Sequence, residues 1–207
     1  LSGEAQSGLV DAVNEYNQKV QITFNNLKTD GSSTLASFGE RIGNQTLSLE
    51  KMTVSVEGKE MAVLEGMVID GKSDLVNDGK TINSQLDYSL NSLKVQNQDL
   101  GSGKLTLKVG QIDGEAWHQF SRQYNAQTQA LMTQPEVVQN PELYQEKVTE
   151  AFFGALPLLM KGEPVITVAP LSWKNAKGET ALNLSLFLKD PAATTEEPQT
   201  LTQEVDR

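Results

Sequence analysis

Residues 81–90 read Thr81-Ile82-Asn83-Ser84-Gln85-Leu86-Asp87-Tyr88-Ser89-Leu90. The even-numbered positions are mostly large and apolar, whereas every odd-numbered position is polar. Because successive side chains of a β-strand point to opposite faces of its sheet, this alternation predicts a strand with one dry face and one wet face. Antiparallel sheets tolerate such a solvated face, so the stretch favours an antiparallel sheet.

The same period of two recurs along most of the chain. Residues that tolerate positive φ separate the alternating segments, as in Asn77-Asp78-Gly79-Lys80, and they predict hairpin turns. Consecutive hairpins give a meander, and we read residues 30–38 as a loop inserted into it. The predicted strands cover residues 1–12, 16–28, 45–57, 61–75, 80–95, 103–112, 164–173 and 179–189.

In strands of this length, the apolar side chains seldom stay on the same face from one end to the other. The apolar parity changes at Glu50-Lys51 and again between Leu90 and Leu93. Each change predicts a β-bulge, which bends a sheet and increases its twist. Residues 24–28 and 90–94 also resemble each other, either through duplication or through shared strand composition. We therefore expect a long, curled and bulged sheet.

Two helices interrupt the meander, between residues 114 and 160. Asp113 is a good N-cap for a first helix at residues 114–133, and Asn140-Pro141-Glu142 supplies the start of a second. Pro157 predicts a kink or an end in that second helix, because its ring lacks the backbone N–H. We expect both helices to pack on the apolar face of the sheet, with the second more deeply buried and anchoring the fold.

The predicted fold class is therefore α+β and mainly β. Residues 1–190 form a single β-rich domain with a helical insert at about 114–160, and residues 191–207 form a C-terminal extension. Leu201 and Val205 lie four apart in that extension and predict one short helical turn docked on the domain. The lack of an initiator methionine and the charged last residues indicate a fragment of a longer protein.

Composition excludes several classes of function. A formal net charge of -10 and a pI near 4.6 disfavour nucleic acid and anionic membrane surfaces as partners. Cysteine is absent, which removes disulfides and thiolate chemistry. No apolar run approaches the roughly 18 to 20 residues that span a bilayer, so we expect no transmembrane segment in this chain.

The residues that resemble catalytic or binding motifs each have a simpler interpretation. His118 is the only histidine; no feature of the sequence supplies a nucleophile for it, and we expect it at a helix surface or a helix–sheet boundary. Gly101-Ser102-Gly103-Lys104 lacks the remaining residues of a phosphate loop and predicts a hairpin connection instead. Asp74 to Gly79 lacks the oxygens of a calcium loop at key positions and predicts a hairpin turn.

We accordingly expect no catalytic, cofactor-binding or metal-binding residues and no cofactor. Trp117 and Trp173 favour core or interface packing over a ligand pocket. A pair of carboxylates forming a hydrolase stays open only as a third hypothesis, since sequence cannot show which acids face one cleft.

About eight strands present apolar residues on one face, while two helices about 10 Å wide cover only part of it. Soluble monomers rarely leave such a surface in water. The remaining face is therefore expected to curl on itself and to meet a second copy, a lipid, or sequence outside the chain.

Two segments carry a resemblance to a known family, namely Gly103 through Phe120 and Gly31 through Glu40. They resemble the YdgA-like family of bacterial envelope proteins, which has no assigned activity and no known site residues. The resemblance implies a membrane anchor before Leu1, export to the periplasm, and further β-rich sequence after Arg207. The expected function is a non-enzymatic periplasmic interaction or structural module tethered to the inner membrane, with self-association or an envelope protein as partner. The alternative is binding of a lipid or other apolar ligand on the concave face of the sheet.

Overall fold

The computed structural model describes residues 2–190, and the predicted extension at 191–207, with its Leu201–Val205 turn, lies outside them. Eight strands form one antiparallel sheet in which each strand pairs with the next along the chain. The predicted meander is confirmed. Its strands are β1 (Ser2–Val13), β2 (Lys19–Leu35), β3 (Arg41–Val56), β4 (Lys59–Val76), β5 (Thr81–Val95), β6 (Gln98–Asp113), β7 (Val165–Asn175) and β8 (Gly178–Phe187).

The helical insert lies between β6 and β7 and consists of α1 (Gly114–Met132), the four-residue α2 (Pro135–Val138) and α3 (Pro141–Met160). The predicted caps are in place: Asp113 Oδ1 accepts a hydrogen bond from the Ala116 amide at 2.8 Å, and Asn140 Oδ1 accepts one from the Leu143 amide at 3.2 Å. These bonds satisfy amides that have no partner within the helix. Beyond Pro157, α3 continues to Met160.

The predicted loop at residues 30–38 is wrong, because β2 continues to Leu35. Residues 31–35 pair with residues 41–45 of β3. A tight turn joins the two strands, and it is closed by a hydrogen bond of 2.8 Å from the Ala36 amide to the Glu40 carbonyl. This hairpin tip brings Ala36, Phe38 and Glu40 against the insert.

Both predicted parity changes are present, and they belong to one transverse row of residues. Asn26 in β2 and Gly66 in β4 have positive φ, at 51° and 63°. The Asn26 amide donates to the Glu50 carboxylate, and the Asn91 side chain lies against Gly66. Because β2 to β5 flip at the same row, their pairing stays in register through Glu50, so the bulge predicted at Glu50-Lys51 is wrong. The β3–β4 register shifts between Val54 and Ser55 instead.

The register does slip one strand further on, where the β5–β6 pairing shifts between Leu90 and Leu93. This is the predicted bulge. Further shifts lie between Ile82 and Ser84 in β5, and between Val168 and Leu171 in β7. Extra residues of this kind increase the local twist of a sheet, and the curl itself stays a prediction.

The main core lies where the hairpin tip meets α1. It consists of Ala36, Phe38, Ile42, Ile82 and Ile112, with Val109 and Trp117 packed against it. The Gly114 amide donates to the Lys80 carbonyl at 2.9 Å, and a Cβ on Gly114 would overlap the ring of Phe38.

The prediction that the second helix is the more deeply buried is wrong. In α1, Phe120 is 6% exposed, whereas Phe152 in α3 is 40% exposed. Phe152 meets Phe120 edge to face, with ring centroids 5.8 Å apart. The contacts of α3 are chiefly with α1, so α1 joins the sheet and α3 covers the outer side of α1.

Candidate functional site

The dry face of the sheet contains a groove where four strands present small residues side by side. The register places Gly31 beside Gln45, Gln45 beside Gly71, and Gly71 beside Leu86. In the next row Ser73 lies beside Ser84, and their hydroxyls are 2.8 Å apart. Because Gly31, Gly71, Ser73 and Ser84 carry little or no side chain, the floor at these positions lies below the longer side chains that flank it.

This groove has a volume of about 660 Å³. Leu86, Leu107, Val109 and Trp117 line its apolar side, and Trp117 is supplied by α1. Arg41 lines the opposite side, where its guanidinium donates to the Ser33 hydroxyl at 2.9 Å and to the Ser33 carbonyl at 3.1 Å. The groove therefore combines an apolar wall with a cation.

The same face becomes openly apolar toward β8. Cross-strand pairing aligns Tyr88, Leu105, Leu171 and Leu182 in one row. We define the apolar edge strip as the exposed large residues here, namely Tyr88, Leu171, Trp173, Leu182, Leu184 and Leu186. In β8 the three leucines are 54%, 46% and 42% exposed, and no residue of this strand is buried.

Trp173 is fixed at the base of this strip. Its indole N–H donates to the Leu100 carbonyl at 2.7 Å, and its ring lies over Gly103, where a Cβ would overlap it. The predicted hairpin connection at Gly101 to Lys104 is therefore wrong. These residues form the bulged start of β6, with Gly101 at a φ of 108°. The actual β5–β6 turn is Gln96-Asn97, where both residues have positive φ.

His118 lies at the predicted helix–sheet boundary. Its Nδ1 is 2.9 Å from the Glu40 carboxylate, and both side chains are partly buried. The pair joins α1 to the hairpin tip, which is a structural role. The predicted hairpin turn between β4 and β5 is present at residues 77–80, with positive φ at Asn77, Asp78 and Gly79, whereas Asp74 to Val76 still belong to β4.

Two carboxylates do lie directly opposite each other, on the polar face: Asp70 of β4 and Asp87 of β5. The Thr106 hydroxyl and then the Gln85 amide donate to Asp87, and these bonds lower the pKa of its carboxyl. A general acid needs the opposite, a raised pKa. Among residues 2–190, no cluster of three or more potential metal ligands forms.

Sequence reasoning did not find the groove. Its floor needs Gly31, Gln45, Gly71 and Leu86 in one row, which depends on the register of three strand pairs. Gly31 falls in the predicted loop and Gly71 is the one floor glycine inside a predicted strand, so the local sequence carries no signal for the groove.

These features define a class of protein: an open antiparallel meander with one helical insert and, among residues 2–190, an apolar strip at one edge that no other element covers. Helix length and hydropathy give no membrane-spanning candidate within residues 2–190. The chain belongs to a family described as bacterial protein of unknown function (DUF945), whose model matches residues 1–206. The resemblance inferred from the sequence is therefore confirmed.

Two relatives from Escherichia coli K12 place the chain within longer proteins. Protein YdgA is 86% identical over 207 residues, which are the whole of this chain and 41% of that relative. The uncharacterized protein YihF is 33% identical over 183 residues, covering 88% of this chain and 38% of that protein. The chain thus spans about two fifths of the length of these curated relatives. No solved structure matches it significantly.

Proposed function

We propose that this chain is a non-enzymatic interaction module whose contact surface is the apolar edge strip. The strip carries the proposal because soluble proteins rarely keep large apolar side chains together in water without a partner. Leu182, Leu184 and Leu186 follow one another on one face, with Leu171 and Trp173 beside them. Single exposed apolar residues would need no such explanation.

A second copy of the chain is the partner that we propose for this strip. The interaction takes place in the periplasm, on a protein tethered to the inner membrane by upstream sequence. This location rests on what the family resemblance implies. The surface chemistry is compatible with it, since the chain lacks cysteine and carries a formal net charge of -10.

The non-enzymatic part of the proposal rests on the polar groups. His118 is engaged by Glu40, and the Asp70–Asp87 pair lies on the open polar face with a lowered pKa at Asp87. Neither arrangement resembles a nucleophile with its base or an acid paired with a base. The acid-pair hydrolase is therefore the least supported of the three hypotheses.

The groove favours a second candidate function, which is binding of a lipid or another apolar ligand on the concave face. Its volume falls in the range of small-molecule sites. The apolar wall would take an acyl chain, and Arg41 would attract an anionic head group in a molecule that is otherwise acidic.

Native mass spectrometry of the purified chain tests both functions in one measurement. For the interaction module we expect masses of more than one subunit. Leu184→Asp should weaken the association by about tenfold or more, because it places a charge in an apolar contact. Leu9→Asp is the matched control, since Leu9 is 55% exposed but lies in β1, at the other edge of the sheet. A monomer at every concentration, or equal losses in the two variants, would contradict the interaction. A bound lipid mass on the monomer would instead support the second candidate.

A further inference from the structure

The outer edge of β8 offers a template for one more strand. β8 is the last strand in the sheet order, and all ten of its residues are exposed. Its inner side pairs with β7 from Val165–Phe187 to Asn175–Gly178. An edge of this length that alternates leucines with polar residues is one that proteins usually shield or pair.

We infer that a second copy of this chain pairs antiparallel with β8, about a two-fold axis at Leu184. This inference rests on the proposed function and names the geometry of its partner. A two-fold axis normal to the sheet sets residue n of one copy opposite residue 368 − n of the other. Leu184 then meets its own counterpart, and Leu182 meets Leu186 of the second copy.

Several of the remaining pairs of this register are also complementary, although Thr180 lies opposite Leu188. Glu179 lies opposite Lys189, which follows β8 and is 3.8 Å from Glu163 of its own chain, and Asn183 lies opposite Ser185, which is a polar pair. Ala181 lies opposite Phe187, so a small residue faces the large side chain that is 70% exposed in the single chain. Cross-strand pairs of these kinds each stabilise a sheet by a modest amount.

Neighbouring registers lose these matches. Centring the axis on Leu182 sets Leu184 against Thr180, and centring it on Leu186 sets Leu182 against Asp190. A shift by one residue would place the leucine rows of the two copies on opposite faces of the joint sheet. The Leu184 axis keeps every leucine of β8 on one face and opposite another leucine.

A two-fold contact also closes on itself. Pairing β8 with the other edge strand, β1, would be head-to-tail and would leave free edges for further copies. Each chain carries a formal net charge of -10, so open-ended growth would accumulate like charge. In the two-fold arrangement the Glu179–Lys189 pairs occur twice and offset part of the repulsion between the two copies.

Single cysteines test the axis, because the chain has none of its own. Directly opposite residues have Cα atoms about 4.5 to 5.5 Å apart, within the range that a disulfide bridges. Leu184→Cys should therefore form a disulfide-linked dimer under mild oxidation. Leu182→Cys and Leu186→Cys should not when made alone, because each would lie about 13 Å along the strand from its counterpart. Combining these two substitutions in one chain should restore the crosslink.

Ser185→Cys is the matched control, since its counterpart lies about 8 Å away, beyond disulfide range. Crosslinking that is strongest at Leu182→Cys or Leu186→Cys would overturn the Leu184 axis in favour of another register. If none of the cysteines crosslinks while native mass spectrometry still shows association, the β8 pairing is wrong and the proposed function stands. If the chain is also monomeric, both are wrong.

Discussion

The two ends of this sheet use similar side chains to opposite effect. Where the hairpin tip meets α1, Phe38, Ile42 and Ile82 are buried. At β8, Leu182, Leu184 and Leu186 show the same alternation, yet each is at least 42% exposed. The difference lies in what covers them, because the insert covers only the first end. Alternation therefore predicts the face of a strand but not whether that face is buried.

Phe38 offers the most direct test of this difference between the covered and the exposed end of the sheet. Phe38→Ala should lower the free energy of unfolding by about 3 to 5 kcal/mol, since it leaves a cavity beneath Gly114 in the main core. Chemical denaturation followed by circular dichroism measures the loss. Phe153→Ala is the matched control: that ring is 61% exposed, and its loss should cost about 0.5 kcal/mol or less.

Equal losses in the two phenylalanine variants would contradict the placement of Phe38 in the main core and of Phe153 at the surface. Phe152→Ala should fall between them, because its ring is 40% exposed but meets Phe120 and Tyr124 edge to face.

The transverse row of Asn26, Glu50, Gly66 and Asn91 provides a second test, because it lies between the covered end of the sheet and the far turns. Gly66→Ala should cost about 2 kcal/mol: roughly 1 for a side chain at positive φ, and the rest for displacing Asn91. Gly58→Ala is the control, since Gly58 also has positive φ but its Cβ would meet nothing within 4 Å. Equal costs, measured by denaturation, would contradict a packed row.

Much of this architecture could be predicted from local sequence. The alternation in β5, the turn at Asn77 to Gly79 and the caps at Asp113 and Asn140 each depend on neighbours along the chain. The structure places all of them as expected. The parity changes were also visible, although their alignment across β2 to β5 was not.

The failures all concern relations between distant elements. The depth of α3 depends on α1 lying between it and the sheet, and Phe152 alone does not show this. The groove depends on the register that brings Gly31, Gly71 and Leu86 together. The local sequence predicts a hairpin connection at Gly101 to Lys104, whereas Gly103 makes room for Trp173 from a strand 70 residues later.

The smallest expected effect lies on the polar face, which belongs to neither end of the comparison. The Thr106 hydroxyl donates to Asp87 at 2.6 Å and is the largest cause of the lowered pKa of that carboxyl. A carboxyl with a lowered pKa in the folded state adds stability above its ordinary pKa of 3.8 and loses it as the pH falls through the folded value. Thr106→Val should therefore cost at most about 0.5 kcal/mol at neutral pH, because the partly buried site is screened by solvent, and less at an acid pH below 3.8. Thr167→Val on β7 is the control. It removes a hydroxyl that is hydrogen-bonded to the Ser185 hydroxyl, and its effect on stability should not vary with pH. Denaturation curves of both variants at the two pH values measure the difference. A cost at Thr106 that is the same at both would show that the hydroxyl supports packing and not the charge of Asp87.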